Sequence, residues 1–407
     1  MVDGTAQARN WAAKPALAAV FLGAAFILGG GAAAAPGDTH EVRPKDLPAP
    51  FATPGVGNSS IAIPRPKAAM PAVPKGFTIS LFASGLFDPR FMALAPNGDV
   101  FVSEPDADKV TLLHGGKAYD FAGGMDHPHG LAFHDGALYV GDLTAVWRLA
   151  YTNGVLKAGA RVRITTDGFG PRGGHSTRDI AFDRNGALYV AIGSMSNVDE
   201  EAPPRATVQK VDAQGHLSTF TSGTRNPVGI ALYPGTDDLY ITVNERDGYG
   251  DEMVPDYMTR IQRGDFFGWP YAYLGAHPDP SFGGKRPDLV AKAKIPDVLF
   301  EAHSAPLGLV FYEGGQFPAD YKGDAFVALH GSWNSSRPHG YMVARIPFDH
   351  GRPKGDYQEF VTGFWDGKSS PARVWGRPAG LLIAADGSLL ISDDVGKVIW
   401  RVAYTGK

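Results

Sequence analysis

Of the twelve histidines in the chain, His175 is the one best placed to do chemistry. It sits in the run Gly173-Gly174-His175-Ser176-Thr177-Arg178-Asp179, directly ahead of an apolar segment. An imidazole titrates near neutrality and so serves as a general base, and paired glycines let backbone approach a ligand closely. A structural or surface histidine is the competing reading. Arg225 and Asn226 follow in Gly223-Thr224-Arg225-Asn226-Pro227, also ahead of an apolar segment. A guanidinium offers a planar fork for carboxylates and an Asn offers both donor and acceptor, so the pair suits a polyanionic or quinonoid ligand. It equally suits a turn that stitches neighbouring elements. Arg377, in Gly376-Arg377-Pro378-Ala379-Gly380, repeats the arrangement.

Two further stretches carry polar groups at close spacing. Asn244-Glu245-Arg246-Asp247-Gly248-Tyr249-Gly250-Asp251-Glu252 crowds oxygen donors around glycines, as a loop for a hard cation such as Ca²⁺ does. It has no EF-hand register, and a solvated turn explains the same residues. His127-Pro128-His129 and His330-Gly331-Ser332-Trp333-Asn334 contain metal-capable side chains, but their spacings match no zinc motif. Trp333 suits packing between elements or the wall of a sugar-sized cleft. No Gly-rich loop follows a strand and opens a helix, and Gly-x-Ser-x-Gly is missing, which excludes Rossmann, P-loop and α/β-hydrolase readings.

The elements that must position these residues repeat six times. Phe91–Val102, Gly130–Val140 and Asp179–Val190 each read as an apolar strand, a turn of Gly, Asn or Asp, and a strand rich in β-branched and aromatic residues. Gly229–Thr242, Gly308–Ala328 and Gly380–Ser392 continue the pattern. Each is a hairpin whose turn glycine supplies positive φ. A four-stranded unit cannot bury both of its faces alone, so six copies should close into a ring, an all-β, six-bladed β-propeller. Ala145–Leu149 and Lys397–Val402 read as third strands of their blades. Loops at one mouth of such a ring converge on a single point, which is where His175, Arg225 and Arg377 would meet.

The 52 Gly and 32 Pro make up about a fifth of the 407 residues, which suits many short elements and turns. A net charge of −4 with no basic block argues against nucleic acid as a partner. The chain has no Cys, which excludes disulfides, thiolate catalysis, Cys-ligated zinc, iron–sulfur clusters and covalently attached haem c. Redox chemistry would need a dissociable cofactor. Arg9 and Lys14 precede an uncharged run that closes in Ala32-Ala33-Ala34-Ala35-Pro36, a secretory signal for which cleavage near Ala35 is favoured over retention as a membrane anchor. Either outcome exports the protein to the periplasm. The division is therefore 1–35 signal or anchor, 36–75 a Pro/Ala-rich linker lying as a tether or a surface strap, and 76–407 the propeller.

From Gly76 to Tyr404 the ordered motifs resemble the quinoprotein glucose and sorbosone dehydrogenases, soluble six-bladed propellers that hold pyrroloquinoline quinone (PQQ), with the L-sorbosone dehydrogenase branch nearest. The motifs are the His175 loop, Thr224-Arg225-Asn226-Pro227-Val228-Gly229, the Asn244–Glu252 stretch with Phe267-Gly268-Trp269-Pro270-Tyr271, Leu329-His330-Gly331-Ser332-Trp333, and Arg377-Pro378-Ala379-Gly380. The resemblance implies that His175 takes a proton from the substrate hydroxyl while hydride passes to the quinone. It implies that Arg225, Asn226, Glu245, His330 and Arg377 contact the quinone, and that backbone carbonyls of Arg246 and Asp247 hold Ca²⁺. Two departures stand out. Ser176 and Thr177 replace glycines after the base, and Arg246-Asp247 replaces Gly-Pro at the calcium carbonyls.

The function expected is oxidation of a sugar or sugar aldehyde, with L-sorbosone to 2-keto-L-gulonate as the first choice. Electrons would leave to a separate cytochrome or membrane quinone, since the chain can attach no haem c. Two rival readings are a calcium-dependent propeller lactonase, which has no need of two channel arginines, and a non-enzymatic binding propeller, which leaves His175 without a role.

Overall fold

Each predicted hairpin forms the inner two strands of a sheet of four strands or, in two blades, five, with Asp265–Phe266 added in parallel to one of them, and the six sheets are the blades of a β-propeller. The computed structural model describes residues 36–406. The signal or anchor segment, 1–35, lies outside the described residues. No helix among those described is long and apolar enough to cross a membrane.

Blade I runs Met92–Leu94, Val100–Glu104, Lys109–His114 and Lys117–Gly123, and blade II runs Leu131–His134, Ala137–Gly141, Val146–Ala150 and Val162–Arg163. Blade III comprises Ile180–Phe182, Leu188–Ile192, Thr207–Val211 and Leu217–Ser222; blade IV comprises Asn226–Leu232, Leu239–Asn244, Tyr257–Ile261 and Val298–Leu299. Blade V has Pro306–Phe311, Ala325–Leu329, Met342–Ile346 and Tyr357–Val361. Blade VI takes Pro378–Ile383, Leu389–Asp393 and Val398–Tyr404 from the end of the chain, and its outer strand, Phe77–Ser84, from before blade I. The two expected third strands occupy that place in blades II and VI.

The second strand of a hairpin reads as a nearly unbroken apolar run because neighbouring blades cover both of its faces. Ala137–Gly141, Leu188–Ile192 and Ala325–Leu329 are buried at every position. The core accordingly lies between blades: Tyr240 and Met258 of blade IV pack with Leu309, Val327 and Ala344 of blade V. Each such fully buried side chain contributes about 1.5–3 kcal/mol. Small residues at the strand entrances follow from crowding near the axis. A Cβ on Gly308 would lie 2.7 Å from Ala379 O of the next blade, and one on Gly130 would lie 2.6 Å from Arg178 O.

Residues 36–75 lie on the propeller as a strap. Thr39–His40 adds a fifth strand to blade V beside Tyr357–Val361, and Ile61–Ala62 pairs in parallel with Arg373–Val374.

Candidate functional site

His175 owes its position to two buried arginines. Arg178 Nη1 donates to the carbonyls of His175 and Thr177, both at 2.8 Å. Arg205 donates to Gly193 O and Gly173 O, each at 3.0 Å, and to Pro171 O. These bonds fix the loop in which Ser176 and Thr177 follow the histidine. The ring itself is oriented by Ser194, whose carbonyl lies 2.9 Å and hydroxyl oxygen 3.1 Å from Nδ1. The Ser194 hydroxyl spends its proton on Ser196 O at 2.6 Å, so Nδ1 must carry the ring proton and Nε2 is left as a free base. Burial, reinforced by Arg225, Arg178 and Arg205, lowers the imidazole to about 3, which keeps it uncharged. Gly193 makes room for this ring, since a Cβ there would stand 2.6 Å from His175 Cβ.

Arg225 opens the first strand of blade IV. Its Nε donates to Asn197 O (3.1 Å), Nη1 to Glu245 O (2.7 Å) and more weakly to Asn244 O (3.4 Å), and Nη2 to Asn197 Oδ1 (2.9 Å) and Asp247 Oδ2 (2.5 Å). All five N–H groups thus point at protein acceptors. Asp247 is held in turn by Asn334 Nδ2 at 2.6 Å, and its carbonyl accepts from Asn197 Nδ2 at 2.9 Å. Arg246 points the other way. Its guanidinium is fully buried, bonded to Glu245 (3.0 Å), Asp279 (2.6 Å) and Ala272 O (2.7 Å). Of this residue only the backbone carbonyl can face a cation in the way the resemblance implies.

The opposite side is built by blades V and VI. Arg377 donates from Nε to His330 O (2.8 Å) and from Nη2 to Gly331 O (2.7 Å), leaving Nη1 without an acceptor among the described residues. His330 Nε2 lies 2.9 Å from Asp394, which also binds Arg90. Burial and the Arg377 charge lower the His330 imidazole to about 4. Against its own burial, the Asp394 carboxyl is held low by His330 and Arg90.

His175, Arg225, Asn226, Glu245, Asp247, His330 and Arg377 all line one cavity of about 380 Å³. Arg246 does not. Trp333, 47% exposed, stands at its wall, which answers the question of its packing. His127 and His129 face a neighbouring cavity with Arg90 and Asp394 instead. Among the described residues no group of three His, Asp or Glu side chains is placed to hold a metal ion.

Sequence reasoning missed Asp256, Asn197 and Asp394. Asp256 is buried in the cavity wall, where its oxygens accept the N–H of Glu245 (2.7 Å) and of Ala305 (2.8 Å), the latter a left-handed residue at φ +54°. Burial pushes its carboxyl up to about 8. Asp394 had a signal: like Glu245 and His330, it directly follows the second strand of an inner hairpin, a position that opens on the channel mouth.

The residues present fit a heterocycle that offers an N–H donor as well as anionic acceptors. The Oδ1 atoms of Asn226 and Asn334 are buried without a hydrogen-bond partner, which costs about 1–3 kcal/mol each unless a ligand supplies donors. Arg377 Nη1 adds an unspent cationic donor. The donor set for Ca²⁺ is poorer: the Asp247 carboxylate is committed to Arg225 and Asn334, and a hard cation wants six to eight oxygens.

Residues 143–332 match the family model described as Glucose / Sorbosone dehydrogenase. That stretch runs from blade II to just past the second strand of blade V and is similar to this family. Residues 286–405 of the same propeller match a second family model, described as TrAA12-like. An uncharacterized protein of Borreliella burgdorferi is 29% identical to this chain over 348 residues, covering 82% of it and 90% of the relative. The holo form of the pyranose dehydrogenase PQQ domain from Coprinopsis cinerea superimposes with a TM-score of 0.70 at 21% identity, over 85% of this chain and 99% of that one. A calcium structure of the Trichoderma reesei carbohydrate-active enzyme family AA12 gives 0.66 at 19% identity, over 84% and 100%. These two likenesses establish a shared fold.

Proposed function

We propose that this protein oxidises a sugar or sugar aldehyde with bound PQQ as the immediate electron acceptor. One observation carries the reading: a single cavity collects an uncharged imidazole with a free Nε2, an arginine with an unspent Nη1 and two unpartnered amide oxygens. The similarity of residues 143–332 to the Glucose / Sorbosone dehydrogenase model and the likeness to the holo pyranose dehydrogenase PQQ domain support it. When bound, PQQ supplies the two-electron acceptor. His175 Nε2 accepts the proton of the substrate hydroxyl, and Ser194 keeps Nδ1 protonated so that the ring cannot present the wrong nitrogen. Arg377 Nη1, Asn226 and Asn334 orient the cofactor, and Trp333 offers the substrate an apolar face. L-Sorbosone, giving 2-keto-L-gulonate, is the substrate we place first. Ca²⁺ would be held by the backbone carbonyls of Arg246 and Asp247, where it would polarise the bound cofactor. Electrons then pass to a separate cytochrome or membrane quinone outside the cytoplasm.

The test is titration of the quinone-free protein with PQQ, with and without Ca²⁺, followed by dye reduction across a panel of aldoses and sugar aldehydes. Binding with dye reduction is expected, and His175→Ala should retain PQQ while losing turnover by about 10²–10⁴-fold. Absence of both PQQ binding and dye reduction would overturn the assignment.

A further inference from the structure

The strap at residues 36–75 touches the propeller at points with very different surroundings. Its outer part clips the edge of blade V. Gly37 N donates to Glu359 O at 2.8 Å, His40 Nε2 lies 2.7 Å from the Glu359 carboxylate, and the His40 ring stacks on Tyr357 at 5.0 Å. Its inner part, Phe51 to Ser60, instead crosses the backs of two loops that present side chains to the cofactor cavity.

The first of these loops carries Asp247. Phe51 N donates to Tyr249 O at 2.6 Å and the two rings meet at 4.9 Å. Thr53 Oγ1 accepts the N–H of Asp251 at 2.7 Å. Gly55 passes so close that a Cβ on it would lie 2.8 Å from Gly248 Cα, and the reciprocal approach at Gly250 would put a Cβ 2.9 Å from Thr53 O. The second loop carries Trp333 and Asn334. Asn58 N donates to Trp333 O at 2.6 Å, and its side-chain Nδ2 donates to Ser335 O at 2.8 Å and to Ser370 Oγ at 3.0 Å. One ten-residue stretch therefore bonds directly behind Asp247, Trp333 and Asn334, which hold Arg225, face the substrate and offer an unpartnered oxygen, respectively. A segment that bonds to the backbone of both loops contributes to the position of each.

We propose that Phe51–Ser60 is the supporting wall of the cofactor cavity, with Gly55 and Asn58 as positioning residues that set PQQ affinity. This rests on the reading of the cavity as a PQQ site. The strap is then a working part of the dehydrogenase rather than a spacer ahead of it, and its inner and outer halves have separable duties.

The experiment measures the PQQ dissociation constant of the quinone-free full chain by tryptophan fluorescence quenching, beside the thermal midpoint, for Asn58→Ala, Gly55→Ala and His40→Ala. Asn58→Ala and Gly55→Ala should each weaken PQQ binding by about fivefold or more, a change of roughly 1 kcal/mol. His40→Ala, which removes a comparable set of contacts from the outer clip, should lower the midpoint and leave affinity within about twofold. Asn58→Ser, which keeps a donor, should recover part of the loss. Unchanged affinity in both inner variants overturns the proposal, and so does an equal loss in His40→Ala, which would make the strap a general stabiliser. Should an inner variant fail to fold, Thr53→Ala gives the same comparison with a smaller cut. A wild-type protein that binds no PQQ sinks the reading of the cavity itself, a result distinct from wild-type binding that the inner variants leave unmoved.

Discussion

The proposed reaction turns on a single imidazole surrounded by guanidinium groups, because the protonation state of His175 decides whether a base is present at all. Free histidine titrates near 6.5, whereas His175 in the fold titrates at about 3. Between those values the unfolded chain binds the proton and the folded chain does not. Stability from this residue is therefore present above about pH 6.5 and drains away as the pH falls toward 3. His175→Ala removes the penalty, so the gap in thermal midpoint between variant and wild type should move in the variant's favour as the pH drops from 7 to 4. Differential scanning fluorimetry across that range checks it, and a gap moving the other way would mean a charged imidazole in the fold. The candidate base was legible in the sequence because a glycine pair precedes it at a strand entrance. Its tautomer was not, since Ser194 reaches Nδ1 from 19 residues further along the chain.

The loop from Asn244 to Glu252 shows what an element adds to its residues. As a string of oxygens and glycines it suggested a cation site, yet in the fold both of its acidic residues that line the cavity are counter-ions, Asp247 of Arg225 and Glu245 of Arg246. A guanidinium with every N–H already placed can greet a quinone carboxylate only by giving up a partner, and Asp247 is the partner of the same chemical kind. Asp247→Asn keeps the shape, weakens that competition and removes a negative charge from an anion's path. PQQ should bind the variant about tenfold more tightly in calorimetric titration, a gain of roughly 1.4 kcal/mol; weaker binding would instead make Asp247 a direct support of the cofactor or its cation. Hairpins such as Asp179–Val190 could be read from the sequence because strand, turn and strand lie within a dozen residues. The fate of Arg246 could not, because its acceptors Ala272 and Asp279 belong to a distant excursion between strands of blade IV.

At the scale of the whole molecule the ring is closed by chain topology, and that closure can be separated from the strap. Phe77–Ser84 pairs along its full length with Val398–Tyr404, so the outer strand of the last blade comes from ahead of the first. The two ends meet there: Thr405 N donates to Gly76 O at 2.8 Å and Gly406 N to the same oxygen at 3.1 Å. A short glycine turn from Gly406 to Gly76 would convert this pairing into an ordinary hairpin, allowing a permuted chain that runs from Leu86 to Gly406 and then from Gly76 to Gly85. That chain keeps six complete blades and lacks residues 36–75. It should unfold in one cooperative step at a lower midpoint than the parent, because Ile63 and Val73 of the strap pack on the core between blades V and VI. It should also bind PQQ less tightly, because nothing then backs the loop of Trp333 and Asn334. A truncation that starts at Leu86 without the relocated strand leaves Val398–Tyr404 as a bare sheet edge, with Trp400 beneath it, and should aggregate. If the truncation stays monomeric and as stable as the permuted chain in light scattering and thermal melts, Phe77–Ser84 is not what closes the ring.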